Sequence, residues 1–233
     1  LEGRRGMPRH KPPFPTEAGL HGKPTLMNNV ETFACIPAII RRGADWFQGL
    51  GRGDAAGSKL YSISGHVARP GVYELAMGAT MAELLEAAGG VVGGALKAFS
   101  PGGASSGFLP ASEVDIALDF KPLQEAGSML GSAGVVVLNE HTDMLRATLA
   151  QMRFFRDESC GQCAPCRVGT QVMVTMLEGV AAGRGSAADL DTFERVAWEM
   201  DAGSICGLGQ AAPFPVKHLM RWWPESVRRG VRA

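Results

Sequence analysis

The sequence predicts an α+β protein of more than one domain, in which a small unit of strands and one helix precedes a helical bundle. Three observations support this fold class. Apolar and polar residues alternate over residues 59–75, which is typical of half-buried strands. After residue 141, apolar residues instead recur at helical spacing. Within the helical part, three cysteines fall at every third position, which indicates a ligand set for a metal or cluster.

Residues 1–28 are rich in Gly, Pro and basic residues and predict little regular structure. A helix is expected from "NNVETFACIPAIIRRGADWF", with Asn28 or Asn29 as its N-cap. Pro37 should kink or divide this helix, because proline lacks the backbone N–H that a helix interior needs. Cys35 lies on the apolar side of the helix, so we expect a core position for it rather than a ligand role.

The stretch "KLYSISGHVARPGVYEL" predicts a β-hairpin that turns at "ARPG". In "TMAELLEAAGG", Thr80 and Glu83 have the spacing of a capping box and Gly89–Gly90 should end the helix. Two further strands are predicted at "ALKAFS" and "GVVVLNE". Strands around one helix within so short a stretch indicate a small α+β domain of ubiquitin-like type.

Four helical stretches are predicted in the remainder of the chain, with apolar stripes that begin near residues 145, 172, 190 and 216. Short connections between helices of this length are typical of a four-helix bundle. The methionines in these stripes are interpreted as core packing.

Charge and apolar runs exclude several classes of function. The 23 Lys and Arg residues balance the 23 Asp and Glu residues, so no net charge attracts nucleic acid or anionic lipid. No apolar run approaches the roughly 20 residues that span a bilayer. No signal peptide is apparent, and the start at Leu1 suggests a segment of a longer polypeptide. Five cysteines are a poor disulfide framework, which favours a reducing, cytoplasmic setting.

The cysteine triplet is Cys160, Cys163 and Cys166, in the stretch "ESCGQCAPCRVGT" between the first two bundle helices. Gly161 and Pro165 predict that this segment is a loop, which could fold its three thiols around one centre.

Cys206 follows after 39 intervening residues, in the Gly- and Pro-rich "AGSICGLGQAAPFP" between the third and fourth helices. In an antiparallel bundle both connections lie at the same end, so the topology should bring this fourth thiol to the other three. A [4Fe–4S] cluster fits a triplet plus a remote cysteine best. Structural zinc is the alternative, although zinc sites more often show paired C-x2-C units, and disulfides would leave awkward pairings.

The sequence also resembles a known family through four stretches, which appear in the order "LEGRRGMPRHKPPFPTEAGLHGKPTLMNNVET", "RRGADWF", "ESCGQCAPCRVGT" and "SICGLGQAAPFP". They resemble the C-terminal part of the flavin-containing, 51 kDa-type NADH-dehydrogenase subunit. This subunit is shared by respiratory complex I, NAD-reducing hydrogenases and NAD-dependent formate dehydrogenases. The resemblance implies that a hydride passes from NADH to FMN, and that electrons then pass singly to a [4Fe–4S] cluster.

For this chain the resemblance implies three regions. Residues 1–47 would be the end of the FMN- and NADH-binding α/β domain, residues 48–140 a β-grasp domain of the soluble-ligand-binding (SLBB) type, and residues 141–233 the helical cluster domain. The implied site residues are Cys160, Cys163, Cys166 and Cys206 as cluster ligands, Asn28, Asn29 and Thr32 at the flavin phosphate and ribityl chain, and Gly207 and Leu208 between flavin and cluster. No side chain is expected to act as a general acid or base, because the flavin carries the hydride chemistry.

The family's glycine-rich flavin loop, acidic NADH-binding stretch and "GEE" turn have no counterpart in this sequence. We therefore expect only a partial FMN site, an NAD(H) site mostly upstream, and no activity of this chain alone with NADH. "CGLGQAAPFP" favours the formate dehydrogenase beta subunit, with complex I and hydrogenase as alternatives. Implied partners are a thioredoxin-like [2Fe–2S] subunit and an iron–sulfur-rich catalytic subunit. A zinc-bearing module that docks other subunits is the alternative from a different class.

Overall fold

The computed structural model describes residues 1–231, without the side chain of residue 187. The N-terminal part contains α1 (Pro15–Ala18), a 3-10 turn (Leu20–Gly22), α2 (Val30–Arg42) and α3 (Ala44–Gln48). Asn29 is the N-cap of α2, where its Oδ1 accepts the Glu31 N–H at 2.8 Å. The expected cap is thus confirmed.

The expectations for α2 concern Pro37 and Cys35. Of the two outcomes expected at Pro37, a kink or a division, the division does not occur, because the helix continues from Val30 to Arg42. Residues 33 and 37 are both exposed, so water can hydrate the Phe33 carbonyl that proline leaves without a partner. Cys35 is only half-buried and not in a core, because α2 has no buried residue.

A five-stranded sheet follows, in the order β2-β1-β5-β3-β4. β1 and β5 are parallel, and the other three neighbouring pairs are antiparallel. Its strands are β1 (Ser58–Gly65), β2 (Gly71–Ala76), β3 (Leu96–Ser100), β4 (Leu109–Pro110) and β5 (Gly134–Asn139). Between them lie α4 (Met81–Ala87), 3-10 turns at Gly103–Ser106 and Ala111–Glu113, and α5 (Phe120–Glu125).

The predicted hairpin is β1–β2, with Ser62 opposite Val72 and the turn between residues 65 and 71. Tyr61 and Ile63 alternate inward from β1 and are buried. The capping box of α4 is confirmed: Thr80 Oγ1 accepts the Glu83 N–H at 3.2 Å, and Glu83 Oε2 accepts the Thr80 N–H at 2.8 Å. β4 and α5 were not predicted.

Six helices form the remainder: α6 (Met144–Glu158), α7 (Ala164–Ala181), α8 (Ala187–Gly203), α9 (Gly207–Ala211), α10 (Phe214–Trp222) and α11 (Pro224–Arg228). The four predicted helices correspond to α6, α7, α8 and α10, and the two short ones were not expected. Pro224 separates α11 from α10, since the residue before a proline disfavours the helical conformation. Each helix within residues 1–231 is too short or too polar to cross a membrane.

The buried apolar side chains form two cores. One core lies between the sheet and α4, and its largest side chains include Tyr61, Phe99 and Leu84. The other fills the helical bundle, but it also contains Ala98 and Phe108 from the sheet region. The helices are therefore packed against the sheet and not merely tethered to it.

Candidate metal centre

The four candidate cysteines all lie at or near helix starts. Cys160 is in the connection between α6 and α7, Cys163 is the N-cap of α7, and Cys166 lies in its first turn. Cys206 is the N-cap of α9. All four are free thiols, and all four line a single cavity of about 180 Å³. The expected convergence of the remote cysteine with the triplet is present in the structure.

The expectation of a loop across the whole triplet is wrong for its last member. The helix α7 begins at Ala164, so Cys166 lies within it. Cys166 is also buried. Pro165 occupies an early helical position, where its missing N–H costs nothing, so this proline starts the helix rather than excluding it. Part of the site is thus carried by a helix, which fixes it more firmly than a loop would.

Close backbone packing brings Cys206 to the triplet. A Cβ atom placed on Gly169 of α7 would lie 2.5 Å from Met200 Sδ of α8, and one on Gly203 would lie 2.9 Å from Pro165 Cγ. These glycines allow the end of α8 to approach the start of α7. The chain then reaches Cys206 within three residues of the end of α8.

The cavity wall comes from separate parts of the chain. Ile205 and Leu208 supply apolar surface beside Cys206, and Glu158 and Gln162 lie near the triplet. Gly6 and Pro8, from the N-terminal segment, also line it. Their contribution was not predicted, since nothing in a Gly- and Pro-rich segment specifies which surface it covers.

Two serines adjoin the thiols, and the sequence analysis missed both. Ser159 Oγ lies 3.3 Å from Cys166 Sγ and accepts the Gly161 N–H at 3.3 Å. The Arg167 guanidinium in turn donates to the Gly161 carbonyl oxygen. Ser204 is buried two residues before Cys206. Only their closeness in sequence to a cysteine could have identified these serines, since each lies one or two residues from one.

The surroundings of the two helix-borne thiols affect their ionisation in opposite directions. Burial opposes ionisation of Cys163, but the pKa of its thiol is lowered overall, chiefly by hydrogen bonds from the Ile205 and Cys166 backbone. Burial raises the pKa of Cys166, against the hydrogen bond from Ser159, and the negative charge of the other three thiolates raises it further. A cation bound among them would favour the thiolate form of all four.

The donor set fits a multi-atom group better than one ion. Zinc would hold four sulfur atoms about 2.3 Å from a single centre. Within residues 1–231, no three His, Cys, Asp or Glu side chains are arranged closely enough to hold one ion together. The four thiols instead surround a cavity, which suits a [4Fe–4S] cluster with one thiolate for each iron.

The candidate flavin residues occupy two places. Asn28, Asn29 and Thr32 are exposed at the start of α2, where Asn28 Oδ1 accepts the Asn29 N–H at 2.9 Å. They are not part of the cysteine cavity. Leu208 lines that cavity, and Gly207 is exposed beside it at the start of α9.

Comparison with known proteins agrees with this geometry. Residues 146–230 match the family described as the NADH-ubiquinone oxidoreductase-F iron–sulfur binding region, and residues 60–109 match the SLBB domain. This part of the molecule is thus an iron–sulfur binding region, and a [4Fe–4S] cluster is its cofactor.

Curated relatives include an F-type subunit of the NADH-quinone oxidoreductase of Rhizobium meliloti, 44% identical over 95% of this chain and 53% of the relative. The corresponding NADH-quinone oxidoreductase protein of Rickettsia conorii is 43% identical over 100% of this chain and 56% of the relative. A crystal structure of an NAD+-reducing [NiFe]-hydrogenase, with TM-score 0.89 and 34% identity, covers 97% of this chain and 38% of that chain. The chain therefore carries the SLBB domain and the iron–sulfur binding region, as its resemblance to the C-terminal part of the 51 kDa-type subunit implied, and it spans about half the length of these curated relatives.

Proposed function

We propose that the chain is the electron-transfer portion of an NADH-oxidising subunit, with Cys160, Cys163, Cys166 and Cys206 as the cluster ligands. The observation that carries this proposal is that all four thiols line one cavity although the last is separated from the triplet by 39 residues. The match of residues 146–230 to an iron–sulfur binding region supports it.

The residues of this chain hold and surround the cluster, and perform no acid–base step. The start of α7 carries Cys163 and Cys166 at its positive dipole end, which favours the negative charge of their thiolates. Ile205, Leu208 and Pro8 contribute apolar surface to the cavity. When bound, the cluster takes up and releases one electron at a time.

The flavin side of the site is proposed to lie at the start of α2. Asn28, Asn29 and Thr32 would contact the phosphate and ribityl chain of FMN, because a helix start offers free N–H groups to a phosphate. Gly207 and Leu208 would lie between the flavin and the cluster. Residues 1–47 would be the end of the flavin- and NADH-binding domain, residues 48–140 the β-grasp domain, and residues 141–233 the cluster domain.

The exposed apolar side of α2 supports this assignment of residues 1–47. Val30 is 83% exposed and Ile40 is 78% exposed, so the helix presents apolar surface that nothing in residues 1–231 covers. A helix of a flavin domain would bury such a surface against the rest of that domain. We therefore expect weak or absent FMN binding, and no NADH oxidation, by this chain alone.

The next part of the proposal concerns the enzyme complex to which the chain belongs. Formate dehydrogenase rests on "CGLGQAAPFP" alone, whereas the relatives described above are named for quinone reduction and the matching structure for hydrogen oxidation. We propose a cytoplasmic multi-subunit NADH oxidoreductase with a thioredoxin-like [2Fe–2S] subunit and an iron–sulfur-rich subunit as partners. Identification of the proteins that co-purify with the native complex would decide between the three enzymes.

The ligand assignment is tested by comparing Cys206→Ala with Cys35→Ala after anaerobic loading with iron and sulfide. We expect about four iron and four sulfide per chain in the parent and in Cys35→Ala, with an EPR signal after reduction. Cys206→Ala should lose part of its iron and change its spectrum, because one iron loses its thiolate. One zinc and no sulfide in freshly isolated anaerobic protein would instead indicate the structural docking module.

A further inference from the structure

The Ser159 hydroxyl lies against one of the four thiols, that of Cys166, and is held in place. The arrangement at Ser159 is a chain of hydrogen bonds. Arg167 donates to the Gly161 carbonyl, the Gly161 N–H donates to Ser159 Oγ at 3.3 Å, and Ser159 Oγ lies 3.3 Å from Cys166 Sγ. Since Ser159 Oγ already accepts from Gly161, its own hydrogen remains to be donated to the sulfur.

We propose that Ser159 donates a hydrogen bond to the thiolate of Cys166 in the loaded site, and that this hydrogen bond raises the reduction potential of the site. The proposal rests on the ligand assignment proposed above. Ser159 is a positioning and tuning residue that acts through the ligand sulfur atom.

The direction of the effect follows from charge. A ligated thiolate carries no hydrogen, so the Ser159 hydroxyl must be the donor. The reduced site holds one more negative charge than the oxidised site, and hydrogen bonds to a more negative acceptor are stronger. This donor therefore stabilises the reduced form more than the oxidised form, and hydrogen bonds to cluster sulfurs are among the factors that set such potentials.

The test is an EPR-monitored redox titration of the anaerobically loaded chain. In Ser159→Ala, we expect the ratio of reduced to oxidised cluster at a fixed applied potential to fall about tenfold, which corresponds to about 59 mV for one electron. Ser159→Thr keeps the hydroxyl and should stay near the parent. Ser128→Ala is the matched control, because Ser128 is 4% exposed and donates to the Ser106 carbonyl at 2.7 Å, away from the cysteines.

The outcomes separate this proposal from the ligand assignment. A Ser159→Ala variant with full iron, full sulfide and the potential of the parent would overturn the serine proposal and leave the ligands intact. A parent chain that takes up no iron would overturn the ligand assignment instead. If the alanine variant cannot be loaded, the iron–sulfur vibrations of the loaded parent chain are measured before and after exchange into D2O. The proposal requires that these vibrations shift, and unchanged vibrations would overturn it.

Discussion

Gly209 offers the sharpest test of how the site is assembled. It lies on α9, where the backbone passes close to the other ligand segments. A Cβ atom placed there would overlap the Ser204 hydroxyl and would lie 2.6 Å from Ser204 Cβ and 2.9 Å from Cys166 Cβ. These are not the ends of flexible side chains, so Gly209→Ala must move α9, and Cys206 with it, away from Cys166.

The magnitude follows from two opposing contributions. Overpacking by one methyl group in a filled interior costs up to about 3 kcal/mol, and the upper end applies where three contacts are too short at once. Alanine is favoured over glycine within a helix by about 1 kcal/mol, which offsets part of that cost. The net destabilisation is about 2 kcal/mol, which lowers the Tm of a protein of this size by roughly 4–8 °C.

The assay compares thermal unfolding of the anaerobically loaded parent, Gly209→Ala and Gly179→Ala at one heating rate. Gly179 is the control, because it lies within α7 and a Cβ atom there meets nothing within 4 Å. Gly179→Ala should leave the Tm unchanged or raise it slightly, whereas Gly209→Ala should lower the Tm and release iron faster to a chelator. Equal Tm values and equal rates of iron release in parent and Gly209→Ala would refute the close approach of α9 to α7.

Two further predictions concern the parts that support the site. Burial lowers the pKa of His218 against its hydrogen bond to the Gly127 carbonyl, so stability should be full above about pH 6.5 and decline as the pH falls below it. The Tm should therefore fall between pH 7.5 and 5.5, and His218→Gln should reduce this fall. An identical fall in parent and variant would contradict the attribution of the pH dependence to His218. Thr80→Ala should lower the free energy of unfolding by about 1 kcal/mol by removing the cap of α4. Thr80→Ser, which keeps the hydroxyl, should have a free energy of unfolding close to that of the parent. Urea titrations of the parent and of both variants measure these differences.

The elements that the sequence predicted correctly depend on neighbours along the chain. The β1–β2 hairpin needs only alternation and a turn, and the α4 capping box needs only Thr80 and Glu83 at their spacing. The bundle helices likewise carry their own apolar stripes. In contrast, β4 has two residues and α5 has six, which is too short for any periodicity to be visible.

The errors arose where one residue type supports two structures. Pro165 was interpreted as a loop residue and instead starts α7, while Pro37 was expected to kink or divide α2 and does not divide it. The apolar side of α2 predicted burial for Cys35, but burial depends on a partner surface that periodicity cannot supply. The convergence of the four cysteines was predictable from spacing and topology. The glycines that permit the convergence were not, because a glycine in a helix carries no sign of what it faces.

The cysteine site depends on more than the helices that carry its ligands. The core of the bundle includes Ala98 and Phe108 from the sheet region, and Gln151 of α6 donates to the Ala104 carbonyl at 2.8 Å. Gly6 and Pro8 of the N-terminal segment also line the cavity. Movement of the sheet or of the N-terminal segment would therefore reach the thiols through packed contacts. Because a cluster potential responds to hydrogen bonds and water access, all three parts of the chain contribute to the environment in which the electron is held.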